Sequence, residues 1–439
     1  FNTKIGSGVL GFYGEGRPFP LVTLTSVDNL GTLTRAKMDN YLFSGLKVLD
    51  VATVIAAPAA AMMLADFGAD VIKIERPGVG DMLRSLSNNW DTPDASNNWF
   101  WQMDGRNKRS LTLDLKSAHG KEVLQRLVED CDVYITNQPY SVRDSLGLTY
   151  EDLRSLNPSM IYASLTAYGE KGPERERKGF DQLAYWARSG LMDLMRTPDG
   201  APTQGLPGMG DHPTAVSIYA GIVTALLHRE RTGEGGMVHT SLLANGLWSV
   251  SGVAQGVLAG GDMTKYRERK RIKPAMMRVY QAQDGRWLQF NMVRNEELLS
   301  LLLTGMDALH LLTDERFADS QLLWENRGAF GDELQNVVAQ KTSAEWLAIF
   351  TELDVPVNRV AIVEETKNDV QILDNRMASA PERDDVTVPL VVNHPIQITS
   401  VPQVGPIRAP DLGEHAEDIL KELGYDQEAI ADMKDRGVI

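Results

Sequence analysis

One cysteine, Cys131, stands in the 439 residues of this chain, and a lone thiol excludes any disulfide within it. That usage fits a reducing compartment, so a cytoplasmic location is expected. Cys131 opens the apolar run Val133-Tyr134-Ile135, which predicts a buried, inert thiol rather than a reactive one. Histidine is sparse as well. The seven residues are scattered without metal-ligand spacing, and no metal site is expected. Long apolar runs are missing: Val54 to Leu64 is cut off by Asp66 and is too short to cross a bilayer. Positive charge is in deficit, with 44 Lys and Arg against 59 Asp and Glu and a formal net charge of -15. This balance argues against nucleic acid or an anionic membrane as the principal partner. An anionic ligand would need a local cluster of basic residues.

The length favours two domains, and ample apolar residues with eight tryptophans can fill their cores. Residues 1–43, rich in glycine, threonine and serine, read as an extension draped over a surface, and Phe1 reads as a processed start. Core structure is expected to begin with the strand-like run Leu46 to Val51. Pro58 suits the first turn of a following helix, Gly68 its end, and Val71 to Glu75 a second strand. Strand, helix and strand at this spacing open a doubly wound, Rossmann-like α/β domain. Yet the first βα turn, Thr53 to Pro58, contains no glycine. A dinucleotide site wants G-x-G-x-x-G there, so NAD and FAD are disfavoured.

The cluster Gly105-Arg106-Asn107-Lys108-Arg109-Ser110 reads as a solvated charged turn or as a phosphate-binding site, and precedes an expected strand at Leu111 to Leu115. A helix from Ser117 to Glu129, a strand from Asp132 to Thr136, a helix near Leu148–Leu156 and a strand from Ser159 to Leu165 continue the rhythm. Lys178-Gly179-Phe180-Asp181-Gln182 starts a helix carrying Tyr185 and Trp186, whose rings are expected to pack in the core. In Gly208-Met209-Gly210-Asp211-His212-Pro213-Thr214, two glycines lead to a carboxylate and a proline opens a long apolar-periodic helix ending at Gly233. Asp211 is thereby delivered to a helix N-terminus, where backbone N–H groups and the dipole favour the ionised form. These residues alone leave two readings open: a helix cap, or a carboxylate that does chemistry.

Met263 to Lys273 is strongly basic and reads as an exposed linker. Arg278 to Met292 reads as a β-hairpin turning at Asp284-Gly285, with helical segments following to about Leu353. Val386 to Ile396 returns to strands, and two amphipathic helices close the chain after Leu412-Gly413-Glu414-His415.

Several stretches together resemble the family III CoA transferases, the group that includes formyl-CoA:oxalate and carnitine CoA-transferases. They are Val71-Ile72-Lys73-Ile74-Glu75-Arg76-Pro77 with Gly80-Asp81, and Asn107-Lys108-Arg109-Ser110 with Leu113-Asp114. Gly210-Asp211, Arg231-Thr232-Gly233-Glu234-Gly235, Asp284-Gly285-Arg286-Trp287 and Leu412-Gly413-Glu414-His415 follow in order. The resemblance runs from about Leu42 to the C-terminus. It implies an interlocked homodimer with a large Rossmann-like domain from residues 44–262 and 366–439, and a smaller α+β domain from residues 263–365.

It also implies that Asp211 is the nucleophile, carrying CoA between acids through a mixed anhydride and an aspartyl-CoA thioester. Glycine loops would supply N–H donors to the tetrahedral oxyanions. CoA contacts carry over to Val54, Ile55, Ala56, Arg76, Leu113, Lys116, Asn137, Gln138, Leu146 and Lys178. The substrates implied are an acyl-CoA and a small carboxylic acid, with CoA a substrate and not a tightly bound cofactor. Ile55 replaces the glutamine of formyl-CoA transferases, Ser145 replaces a CoA-binding arginine, and no glycine-rich flap follows Gly260-Gly261. Oxalate and formate are therefore not the expected acids. The bulky Tyr185, Trp186 and Trp248 suit a larger one, or fill the core. Related α-methylacyl-CoA racemases carry a catalytic histidine where this chain has Phe180, and a phenyl ring cannot be a base. An acyl-CoA isomerase and a silent CoA-binding relative remain as alternative readings.

Overall fold

Six parallel strands in the order β3-β2-β1-β4-β5-β6 form the central sheet: β1 (Lys47–Asp50), β2 (Asp70–Glu75), β3 (Arg109–Thr112), β4 (Val133–Thr136), β5 (Ile161–Thr166) and β6 (Gly236–Ser241). The computed structural model describes residues 40–439 except 88–91, 198, 292–295, 382 and 384, and does not describe the side chains of 269 and 270. Most of the expected extension thus lies outside the described residues. Its end does not: Phe43 N–H donates to the Phe67 carbonyl at 2.9 Å and the two rings meet edge-on, so core structure begins before Leu46.

Strand side chains alternate between the two faces of the sheet, and both faces are covered. Val48, Val71, Val133, Ile135 and Ala163 face one core, with α1 (Ala56–Asp66) packed over them. Leu49, Ile72, Ile74, Tyr134 and Tyr162 face the other, covered by Val123, Leu124 and Leu127 and by Ile419 and Ile430 near the C-terminus. All eleven residues of α1 are buried, and six of them are alanines. Small side chains let this helix lie close between the sheet and the long helix beginning at Asp211. This is the expected α/β architecture.

Three local expectations shift. The strand expected at Leu111 to Leu115 runs from Arg109 to Thr112, because Ile72 to Glu75 pair with those residues. The basic segment expected as a linker is a helix, Thr264–Arg271, whose Arg267 pairs with Asp193 and Arg271 with Asp199. Of the strands expected in Val386 to Ile396, only Val391–Val392 forms, paired with Ala378–Ser379.

A separate core gathers around Trp346, Phe350, Phe330, Tyr280 and Phe290. Val279–Gln281 and Trp287–Phe290 form the expected hairpin, with Gly285 at φ +75° in its turn, and Val357–Arg359 adds a third antiparallel strand. The C-terminal helices Ala416–Glu422 and Gln427–Asp435 return to the first sheet, where Gly413 N–H donates to Ser110 Oγ at 2.9 Å. Among the described residues no helix is long and apolar enough to cross a membrane.

Candidate active site

In a sheet of this order the succession of strands turns back between β1 and β4, and ligands of doubly wound folds sit outside the carboxyl ends of the strands there. Asn137, just past β4, bridges that point. Its Oδ1 accepts from Thr53 N–H at 2.9 Å and its Nδ2 donates to the Thr53 carbonyl at 2.7 Å. The next residue, Val54, has φ 70°, a conformation a β-branched residue seldom adopts. Asp81 holds it there, its Oδ1 accepting from the N–H groups of Val54 and Leu83, both at 2.9 Å. A buried carboxylate thus fixes the turn and takes up the Val54 N–H.

Asp81 is itself held by Lys73 at 2.8 Å, and Asp50 is paired with Lys108 at 2.9 Å, all four side chains buried. Burial alone would lower Lys73, but Asp50, Asp81 and Glu75 raise it above its ordinary value. Glu75 is a second node. It pairs with Arg84, accepts from Ser110 Oγ at 2.8 Å and from Asp81 N–H at 2.9 Å. Burial would raise its carboxyl, yet Arg84 and Lys73 hold it below the usual range. Three of the stretches that carry the resemblance, Val71 to Pro77, Gly80-Asp81 and Asn107 to Ser110, therefore meet in one buried polar network beneath the first βα turn.

Beside this turn lies a cavity of about 450 Å³ whose lining includes Arg76, Leu113, Lys116, Gln138 and Leu146, together with Thr53 and Gly437. Five residues expected at CoA are thus brought together. Gln138 Oε1 is buried without a hydrogen-bond partner among the described residues. Asn137 shapes the adjacent turn. Val54, Ile55 and Ala56 form that turn but do not line the cavity, and Ile55 and Ala56 are buried. Lys178 is exposed and outside it.

The basic cluster is not a phosphate site. Arg106 is buried against Asp66 at 2.7 Å, Lys108 against Asp50, and Arg109 pairs with Asp70 at 2.6 Å and with Glu422. These cations fold back onto the chain's own carboxylates.

Asp211 is the first residue of the helix Asp211–Thr232, with Gly210 at the cap position and no side-chain cap bond. The cap reading therefore fails. The turn before it is held by Asp181, whose Oδ2 accepts from Gly208 N–H at 2.9 Å and Gly210 N–H at 3.2 Å. Asp181 also caps the π-helix Gln182–Ala187, accepting from Gln182 N–H at 2.8 Å. The N–H of Met209 donates to Leu206, and those of Asp211 and His212 to Gly208. This glycine turn consequently offers no unused N–H from Gly208 to His212 to an oxyanion. Gly208 has φ +85°, and a side chain built there would meet Ile55 Cδ1 at 3.3 Å. The Asp211 turn and the first βα turn are therefore in contact.

The Asp211 carboxylate is half-buried and has no hydrogen-bond partner among the described residues. Burial, reinforced by Asp181 and Asp104 against the opposing His212, pushes it up to about 7. The expected preference of a helix N-terminus for the ionised form is outweighed. His212 Nε2 lies 3.4 Å from Asp104 Oδ1. Burial would lower the imidazole, but Asp104 and Asp211 raise it above its ordinary value. Tyr185 and Trp186 are buried, packed beneath Gly210 and Gly205, whereas Trp248 is 78% exposed.

Asp104 and His212 went unremarked in the sequence. The signals were a lone acid in the apolar run Trp99-Phe100-Trp101-Gln102-Met103 and a histidine directly after the nucleophile candidate. Nothing local joins them, because 108 positions separate them.

The pattern described as CoA-transferase family III matches residues 43–416. The chain belongs to that family and is an enzyme of its type, a transferase of CoA. It is 29% identical over 399 residues to (R)-2-hydroxy-4-methylpentanoate CoA-transferase of Clostridioides difficile, covering 91% of this chain and 99% of that protein. It is 29% identical over 411 residues to cinnamoyl-CoA:phenyllactate CoA-transferase of Clostridium sporogenes, covering 91% and 97%. The solved structure of a CAIB/BAIF family protein from Brucella suis matches with a TM-score of 0.77 at 30% identity, covering 88% of this chain and 100% of that one.

Proposed function

We propose that the chain moves CoA from an acyl-CoA donor to a carboxylic acid acceptor, with Asp211 as the covalent carrier. The Asp211 carboxylate attacks the thioester carbonyl and CoA thiolate leaves, giving a mixed anhydride. The thiolate then attacks the aspartyl carbonyl and the donor acid leaves as its carboxylate, with CoA held as an aspartyl thioester. The acceptor carboxylate attacks that thioester and expels the thiolate. Attack of the thiolate on the acceptor's acyl carbonyl forms the new thioester and restores Asp211. Every step exchanges one anion for another, and no net proton moves.

The observation carrying this reading is a solvent-accessible carboxylate without a hydrogen-bond partner on a turn that touches the first βα turn, which borders the cavity of Arg76 and Lys116. That cavity, with Leu113, Gln138 and Leu146, is read as the seat of the CoA nucleotide. Two cations there meet the need of a polyanion that the net charge does not. Val54, Ile55, Ala56 and Asn137 act by shaping the turn. Lys178 is read as a contact made from the surface once CoA is bound.

The acids are read as bulky and apolar, because the relatives in Clostridioides difficile and Clostridium sporogenes are named for 2-hydroxy-4-methylpentanoate and phenyllactate. The exposed ring of Phe180, beside Asp181, agrees with this. Phe180 also disfavours the racemase alternative. The chain is further read as cytoplasmic and as an interlocked homodimer, with residues 263–365 as the smaller domain. The exposed Leu247, Trp248, Val257 and Leu258 are apolar surface that a second copy would cover.

Mass spectrometry of enzyme quenched during turnover with an acyl-CoA tests the reading. The peptide holding Asp211 should gain the mass of CoA, and Asp211→Ala should not. An unmodified peptide under turnover conditions would falsify it.

A further inference from the structure

We propose that His212, oriented by Asp104, supplies the counter-charge for whichever carboxylate occupies the reaction centre: Asp211 before CoA is loaded, the acceptor acid afterwards. The inference rests on the aspartyl-CoA intermediate of the proposed function.

Three carboxylates converge at the centre, from three elements. Asp104 comes from the helix Trp99–Gly105, Asp181 from the head of the π-helix, and Asp211 from its own helix. Asp181 is taken up by three backbone N–H donors. Tyr185, packed beneath Gly210, has its hydroxyl paired with Ser249 Oγ. Asp104 is 1% exposed, and its Oδ2 is buried without a hydrogen-bond partner among the described residues. A carboxylate so placed is costly unless a cation stands beside it. The group within hydrogen-bond reach of it is His212 Nε2 at 3.4 Å, while the buried Lys108 ammonium, itself paired with Asp50, acts on it from further off. His212 is also the group whose charge favours ionised Asp211, against Asp181 and Asp104, which disfavour it.

The imidazole is not walled in. Its side chain is 42% exposed while Asp104 behind it is at 1%, so its open side is available to an incoming acid. Once Asp211 has become a thioester it carries no charge, and one anion fewer competes for the imidazolium. An acceptor carboxylate arriving then finds a cation that the ionised nucleophile occupied before. A doubly protonated imidazole can donate from both ring nitrogens, one to Asp104 and one outward. The arrangement thus admits the second acid after the first has left.

Two half-reactions of the full-length enzyme test this. CoA loading of Asp211 is followed by mass spectrometry from pH 5.5 to 9, and the acceptor KM is measured by steady-state transfer. In His212→Gln the midpoint of loading against pH should move up by about one unit, roughly a ten-fold loss on the acid side, with recovery near pH 9. The acceptor KM should rise about ten-fold while the acyl-CoA KM holds. His212→Lys, which keeps the charge, should retain the wild-type midpoint. A uniform loss of loading at every pH, or an equal shift in the lysine variant, overturns the counter-charge. An unchanged acceptor KM overturns its second half. Wild-type enzyme that never gains CoA would instead sink the proposed function itself.

Discussion

Replacing Asp211 by asparagine should abolish CoA loading and, above neutral pH, stabilise the fold. The carboxyl is pushed up to about 7 in the folded chain from an ordinary value of 3.8, first by burial and then by Asp181 and Asp104. Between those two values the folded chain holds a proton that the unfolded chain has released. Stability therefore falls as pH rises through this window and levels off above about 7. A difference of roughly three pH units corresponds to about 4 kcal/mol if fully expressed. Asp211 is half-buried, so solvent screening reduces this to about 1–2 kcal/mol. Asparagine has the same shape and no charge to desolvate. Thermal melts at pH 8 should place Asp211→Asn about 1–3 °C above wild type, a small shift for a chain this long. The gap should close toward pH 4, where both side chains are neutral. A variant that melts below wild type at pH 8, or by the same margin above it at both pH values, refutes the claim that the nucleophile is held at a cost in stability.

Other perturbations separate the roles assigned above. Asp181→Asn keeps an acceptor oxygen for the glycine turn but removes a charge, so the midpoint of loading against pH should move down, by about half to one unit; an upward move contradicts the geometry. Arg76→Ala and Lys116→Ala should each weaken CoA binding about ten-fold in calorimetry, more at low salt than at high, and an unchanged Kd would remove those residues from the CoA site. Arg106→Ala takes the guanidinium from buried Asp66, leaving it Asn107 Nδ2 at 2.7 Å and the neighbouring His394, and should cost about 3 kcal/mol by denaturant titration while sparing CoA affinity in the folded fraction. Weaker CoA binding without lost stability would restore the phosphate reading of that cluster. Gly208→Ala must hold φ +85° and crowd Ile55, and should cost about 1–2 kcal/mol and slow loading; a neutral outcome would mean the turn is not held as described.

How much of this was legible in the sequence depends on the range of the interaction concerned. Burial along β1, α1 and β2 follows periods of two and three to four residues, so the alternation of Val48 and Leu49 or the stop at Gly68 could be read locally. The stretches that resemble CoA-transferase family III were legible for the same reason, each being short and contiguous. Arg109 was misplaced because a strand's start is set by its neighbour, here Ile72 to Glu75, and not by its own residues.

Charge was the less legible quantity. Arg106, Lys108 and Arg109 form a basic cluster in the sequence, and only folding brings Asp66, Asp50, Asp70 and Glu422 against them. The cavity draws on positions from Val51 to Gly437, and Asp104 meets His212 across 108 positions of the chain. Sequence by itself determined the strand and helix rhythm, the missing glycines of the first turn and the aspartate at the head of its helix. Tertiary structure alone decided which charges are paired, which carboxylate among the described residues is left without a donor, and that burial raises the Asp211 carboxyl above its ordinary value. Apolar burial is a property each segment carries along its own period, whereas an ionised group's state is set by every other charge the fold places within a few ångströms of it.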